Sequence, residues 1–250
     1  MMELAFVFIL GAAIGSFLNV VIIRTPLDQN VSFPASHCMS CHTPLRFYHN
    51  IPILSWLFLR GRCAFCGEKI SLQYPLVELL SALIFLFSAV KLGINFHAFG
   101  TALAFVLLLA LSVIDYRYKM VPDSINLAAL TVAVLSVTSL SHLSYSVQNA
   151  LLFAGGFTLL RFYLSYLLKK EAMGEADIMI AATMGAILGV PLALSAIFIG
   201  ALLALPALLL TQGESEESKQ LPFIPFLAMG AWIALMFDTY ISTYLAGLYG

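Results

Sequence analysis

The chain has 250 residues, of which 61% are hydrophobic and only 10% charged, whereas a soluble domain carries about 25% charged residues. So few charges cannot cover a water-facing surface, and lipid is the solvent this composition suits. The net charge of −1 comes with no basic stripe, which excludes nucleic acid as a partner.

The first apolar run extends from Leu4 to Ile23 and ends at Arg24. Residues 1–5 carry no basic segment and no small-residue cleavage site follows the run, so it is read as a retained first helix rather than a cleaved signal. A polar stretch follows from Thr25 to about Gln73 and holds all four cysteines. Seven more apolar runs are placed at 75–90, 97–114, 125–140, 147–168, 177–190, 192–211 and 222–247. The expected architecture is an all-α polytopic membrane protein of about eight transmembrane helices. Its parts are a first helix (1–24), a four-cysteine lobe (25–74) and a seven-helix membrane domain (75–250).

Lysine and arginine in short loops set orientation, since they are retained in the cytoplasm. Placing the cysteine lobe inside puts Arg24, Arg46, Arg60, Arg62, Lys69, Arg117, Lys119, Lys169, Lys170 and Lys219 on the cytoplasmic side. That is ten of the 12 basic residues. Lys91 falls outside, and Arg161 lies within a span. The acidic loop from Gly213 to Gln220 does not overturn this count, because acids weigh little in the rule.

Cys38, Cys41, Cys63 and Cys66 form a C-x2-C…x21…C-x2-C pattern and are the only cysteines in the chain. Two intervening residues let both thiolates of a pair reach one ion, and the second pair closes a tetrahedron, as in a zinc ribbon or knuckle. Two redox C-x-x-C pairs are the alternative. In the cytoplasm thiols stay reduced, so disulfides fit less well. Four thiolates leave no open coordination position, which makes the ion structural. Sulfur ligands suit zinc, and iron is the competing occupant. His37, His42 and His49 lie nearby and are read as surface residues.

Acids within spans mark function by default. Asp115 closes the third span, Asp123 follows Pro122, and Asp177 opens the sixth. The sixth run is short, so its helix is expected to begin near Glu171 and carry Asp177 a turn or two below the interface. Two carboxylates brought together share one proton, so that one acts as base and the other as acid toward a water attacking a peptide carbonyl. The alternative is that these acids cap helices or pair with Arg117 and Lys119. Asp123 suits an N-cap; for Asp115 and Asp177 the residues alone leave both readings open. Glu78, near the start of the second span, is either an interfacial acid or part of a cofactor site.

Several segments together resemble the type IV prepilin peptidases. These are Gly15-Ser16-Phe17-Leu18-Asn19 through Arg24, Asn50-Ile51-Pro52-Ile53-Leu54-Ser55-Trp56, Leu59-Arg60-Gly61-Arg62-Cys63, Tyr74-Pro75-Leu76-Val77-Glu78 and Pro222-Phe223-Ile224-Pro225-Phe226. The resemblance covers essentially the whole chain. It maps a D-x6-P segment onto Asp115 and Pro122, and a G-x-G-D motif onto Gly174 to Asp177, with Ala176 in place of the second Gly. Ala restricts the backbone and puts a close approach there in question.

The resemblance implies a bifunctional enzyme of the bacterial inner membrane. It would cut the basic leader from prepilin or pseudopilin substrates after a Gly at the cytoplasmic face, using Asp115 and Asp177. It would then methylate the new N-terminal residue with S-adenosylmethionine. The four-cysteine lobe is characteristic of the bifunctional members. No glycine-rich fingerprint of a soluble methyl-donor fold is present, and Asn19, Arg24 and Glu78 are the candidate donor-site residues. A peptidase without methyl transfer is the nearest alternative. A cation or proton transporter is a remote one, because the acids cluster at one face and not at midplane.

Overall fold

The computed structural model describes residues 2–170, 173–210 and 222–249. Nine helices follow in order among them: α1 (Met2–Arg24), α2 (Leu54–Phe58), α3 (Gln73–Leu92), α4 (Phe96–Tyr118), α5 (Asp123–Leu135), α6 (Leu140–Leu168), α7 (Glu175–Leu210), α8 (Ile224–Met236) and α9 (Asp238–Tyr249). The acidic loop expected between Gly213 and Gln220 lies outside the described residues. So does Glu171, but Met173 and Gly174 are non-helical and α7 begins at Glu175. The expected earlier start is therefore corrected, and Asp177 sits in the first turn of α7.

All eight apolar runs are helical, yet they differ as spans. Five helices (α1, α3, α4, α6 and α7) are long and apolar enough to cross a membrane, or six if α8 and α9, bent by 80°, form one broken span. At 1.5 Å per residue, the 13 residues of α5 reach only about 20 Å, short of the roughly 30 Å hydrocarbon core. The 36 residues of α7 would reach about 54 Å, far beyond it. A break at Gly189, with φ 71° and ψ 175°, divides α7 where the sequence placed the boundary between two runs. A side chain would strain that left-handed position, and Pro191 two residues on has no N–H for the ladder.

Packing gathers the chain into two compact units, Met1–Ala102 and Leu103–Gly250, with the division falling inside α4. In the first unit α1 lies along α3. On α1 the buried residues Gly11, Ala12, Gly15, Leu18, Asn19 and Ile22 recur at helical spacing on one face, and Arg24 at its end is buried too. They meet Val77, Glu78, Ser81, Ala82, Phe85 and Ala89 of α3. The helices approach so closely at Gly15 that a Cβ there would stand 2.8 Å from Glu78 Cα and 2.8 Å from Ser81 Cβ.

In the second unit α7 packs against α5, α6 and α8. Its core is Leu108, Leu111, Ile114, Ile180, Met184 and Leu227, each almost fully buried. By contrast α6 keeps Leu151, Leu159, Phe162, Tyr163 and Tyr166 exposed, as a lipid-facing helix does. Arg161, expected within a span, ion-pairs with Glu175 at 3.1 Å, which ties α6 to the start of α7.

Gly15→Leu should force α1 from α3 and destabilise the first unit by about 1–3 kcal/mol. A lower thermal unfolding midpoint in detergent, compared with Gly156→Leu in open space on α6, is the measurement.

Candidate functional site

The lobe between α1 and α3 is built from two matching turns. Cys38 N–H donates to Thr43 O at 3.1 Å, and Cys63 N–H donates to Glu68 O at 2.8 Å. Isolated bridges pair His37 with Pro44 and Arg62 with Lys69. The residue after each second cysteine, His42 (φ 54°) or Gly67 (φ 73°), turns the chain through the left-handed region. Each turn thereby points two sulfurs inward. Behind them Trp56 Nε1 donates to Ile70 O at 3.2 Å, which gives the lobe a small anchor.

The four Sγ atoms lie within 4.8 Å of one another, and Cys38 Sγ stands 3.8 Å from Cys66 Sγ. A tetrahedron with metal–sulfur arms of about 2.3 Å has edges of about 3.8 Å. The donor set therefore fits a divalent ion such as zinc. Its electrostatics agree. Hydrogen bonding to the Thr43 side chain and backbone holds the Cys41 thiol down at about 6, and the Cys66 and Phe65 backbone N–H groups also lower Cys63. The Glu68 N–H favours a thiolate at Cys66, but burial and the three neighbouring sulfurs push it up to about 12. Four crowded sulfurs cannot all ionise alone, and a cation removes that conflict. Among the described residues no histidine joins this group. His37 Nδ1 lies 3.0 Å from Ala35 O, and His49 stacks edge-on with Phe65.

In the second unit two acids stand at helix ends. Asp115 is buried in the last turn of α4 and its Oδ2 accepts from Ile224 N–H at 3.3 Å. Ile224 is the first residue of α8, so this carboxylate satisfies a helix N-terminal donor that has no partner in its own helix. Asp177 is the third residue of α7, and its Oδ2 accepts from Gly174 N–H at 3.2 Å. That is the acidic half of a capping box, and it accounts for the three-residue spacing of Gly174 and Asp177. The two acids are near enough for the charge of Asp177 to act on Asp115, as does that of Lys119 one turn on. Capping is thus part of what both acids do, and it leaves each with a second oxygen.

Ala176 lies within the first helical turn of α7 and is not among the positive-φ residues, so alanine in place of glycine fits the backbone there. Asp123 is the first residue of α5, with Pro122 at the N-cap and no side-chain cap bond. It serves the helix dipole and not the cap position the sequence suggested.

Asn19, Arg24 and Glu78 make internal bonds in the first unit. Asn19 Nδ2 donates to Tyr74 O at 3.1 Å and its Oδ1 accepts from Gln73 Nε2 at 3.4 Å, which fastens α1 to the start of α3. Glu78 Oε2 accepts from Ile53 N–H at 2.6 Å. Ile53 has φ 63°, a left-handed conformation that a β-branched residue adopts only under constraint. Arg24 is 9% exposed, and its guanidinium donates to the carbonyls of Asn30 and Val31. Both of those partners are neutral backbone carbonyls.

The sequence reading missed the Ile224 N–H and Asn126. Asn126 is fully buried and its Nδ2 donates to Ala176 O at 3.1 Å. The paired prolines flanking Ile224 signal a helix start, but nothing in them names a carboxylate 109 residues away.

Comparison with known proteins covers nearly the whole chain. Residues 9–92 match the Bacterial Peptidase A24 N-terminal domain, and residues 102–209 match the Type IV leader peptidase family. A prepilin leader peptidase/N-methyltransferase of Aeromonas hydrophila is 35% identical over 94% of this chain and 91% of its own. One of Dickeya chrysanthemi is 35% identical over 91% and 88%. One of Stutzerimonas stutzeri is 34% identical over 95% and 92%. No solved structure matches the chain.

Purified protein should carry about one zinc per chain, and Cys38→Ser or Cys63→Ser should lose it. Elemental analysis reads the metal. Limited proteolysis should show residues 25–74 becoming cleavable in step with metal loss, because a lobe of this size has little core of its own.

Proposed function

The chain belongs to the type IV leader peptidase family, and from that premise we propose that Asp115 and Asp177 cut prepilin-like substrates, which the first unit then helps to methylate at the new N-terminus. The substrate is a short basic leader followed by an apolar helix. The helix lies in the bilayer while the leader stays in the cytoplasm, so cleavage after the leader's final Gly belongs at the membrane face. We place the lobe and both acids on the cytoplasmic side of the bacterial inner membrane, because α3 and α4 are both long enough to span and return the chain to the lobe's side, which gathers Arg24, Arg46, Arg60, Arg62, Lys69, Arg117 and Lys119 there. Residues 25–74 then form the metal-bound lobe and 75–250 the peptidase domain.

One observation carries this reading: Asp115 holds the first N–H of α8, and Asp177 lies in the first turn of α7, the helix that packs against α8. The pair holds one proton between its members. One carboxylate takes a proton from water as the water oxygen bonds to the scissile carbonyl carbon. The other delivers its proton to the carbonyl oxygen. Collapse of the tetrahedral adduct breaks the C–N bond, and a proton returns to the departing amine. Ile224 N–H and Gly174 N–H fix one oxygen of each acid, so the remaining oxygens face the reaction with little freedom to turn. Helix N-termini favour negative charge, which suits the carboxylate that stays ionised to act as the base.

S-adenosylmethionine, when bound, supplies an electrophilic methyl group to the freed amine. Arg24, a buried cation with neutral partners, would hold the carboxylate of that donor. Asn19 and Glu78 would frame the same region by fixing α1, α3 and the Ile53 turn.

Asp115→Ala and Asp177→Ala should each lower prepilin cleavage by about 10²–10⁴-fold, read by mass spectrometry of the product. Methyl transfer to an already cleaved peptide should persist. Retained cleavage in either variant removes the acid pair from the reaction. Arg24→Ala should raise the KM for the methyl donor roughly 10-fold or more, since a charged hydrogen bond is lost. An unchanged KM places the donor elsewhere.

A further inference from the structure

Asn126 is an amide in a place where packing alone does not ask for one. It sits on the second turn of α5, fully buried. Its Nδ2 donates to the carbonyl of Ala176 at 3.1 Å, the residue before Asp177. Its Oδ1 is buried and has no hydrogen-bond partner among the described residues. An unpaired buried acceptor is destabilising, and a leucine of the same branched shape would avoid that cost.

Ala176 lies in the first turn of α7, so its carbonyl is already placed to accept from the helix backbone. The side-chain bond adds little to helix satisfaction. What it does add is a tether between α5 and the turn that carries Asp177. The Arg161–Glu175 ion pair ties the same turn to α6 at an exposed position, and Gly174 just before the helix is exposed, so the Asn126 bond is the tether on the buried side of that turn.

We propose that Asn126 is a positioning residue for cleavage, holding the Ala176–Asp177 segment in register with Asp115 through its Nδ2 bond. It acts through Asp177 and touches no substrate. The proposal rests on the acid-pair reading given above. It assigns a task to the D-x6-P segment beyond supplying Asp115, since Asn126 lies four residues past Pro122 on the helix that Pro122 starts.

The test uses the full-length protein in detergent or proteoliposomes with an intact prepilin substrate. Asn126→Leu should lower kcat for cleavage by about 100-fold, the scale of a misplacement of about 1 Å in a reacting group, and leave KM nearly unchanged. Its thermal midpoint should stay level or rise, and methyl transfer to a pre-cleaved peptide should stay at the parent level. Asn126→Gln, which keeps the donor on a longer arm, should recover part of the lost kcat. Cleavage by Asn126→Leu within twofold of the parent overturns the proposal. So does a joint fall of cleavage, methyl transfer and thermal midpoint, which would make Asn126 a packing residue. Asp115→Ala and Asp177→Ala run alongside. If they keep cleaving, the acid pair itself fails; if they stop while Asn126→Leu does not, only the tether fails.

Discussion

A carboxylate at the end of one helix accepting the first N–H of another is the contact on which the second unit turns. Asp115 Oδ2 and Ile224 N–H are 3.3 Å apart, in a region where water is not free to satisfy either group. A chain this apolar has few ways to hold an acid inside itself. Within hydrocarbon every polar group must find a protein partner. Helix N-termini offer a ready supply, because their first N–H groups have no mate and their dipole welcomes negative charge. Asp177 uses the same device on its own helix through Gly174 N–H. The two acids are therefore tolerated for one physical reason.

The placement of the two acids at helix ends argues against a transport site. Transport sites sit near midplane, where broken helices expose carbonyls to an ion. Here the acids lie where α4 ends and where α7 and α8 begin. A substrate whose helix is in lipid and whose leader is in water presents its cleavable bond at such a boundary. The break in α7 at Gly189 lies several turns further along that helix, where a Cβ would meet Tyr145 and Asn149.

The first unit is organised around a different constraint. Its lobe has too little apolar mass to fold by burial, and four sulfurs at tetrahedral separation supply the missing cross-link once a cation is bound. The membrane helices then grip the lobe at one strained point, where Glu78 on α3 holds the N–H of left-handed Ile53. Strain of this sort, about 1–3 kcal/mol, persists only where neighbours fix it. Glu78 and Asn19 are thus frame residues before they are anything else, and Arg24 holds the Asn30–Val31 turn through two carbonyls.

Composition and spacing settled a good deal. The helical membrane class follows from 61% hydrophobic residues with 10% charge, since that ratio admits no soluble surface. The cysteine cluster follows from C-x2-C spacing, because two residues between thiols fix both on one ion whatever surrounds them. The acids could be picked out because charge in an apolar run is rare. Other features depended on the folded chain. Three departures bring the eight runs to five or six spans by length: α5 stops at 13 residues, the runs at 177–190 and 192–211 form the one helix α7 with its break at Gly189, and α8 and α9 meet at 80°. Helix ends are set by which partner satisfies them, as the start of α7 at Glu175 illustrates. The bonds from Ile224 to Asp115 and from Asn126 to Ala176 join residues 109 and 50 apart in the chain. Local pattern carries no information about such pairs, because a hydrogen bond depends on distance in space and a sequence records only distance along the backbone.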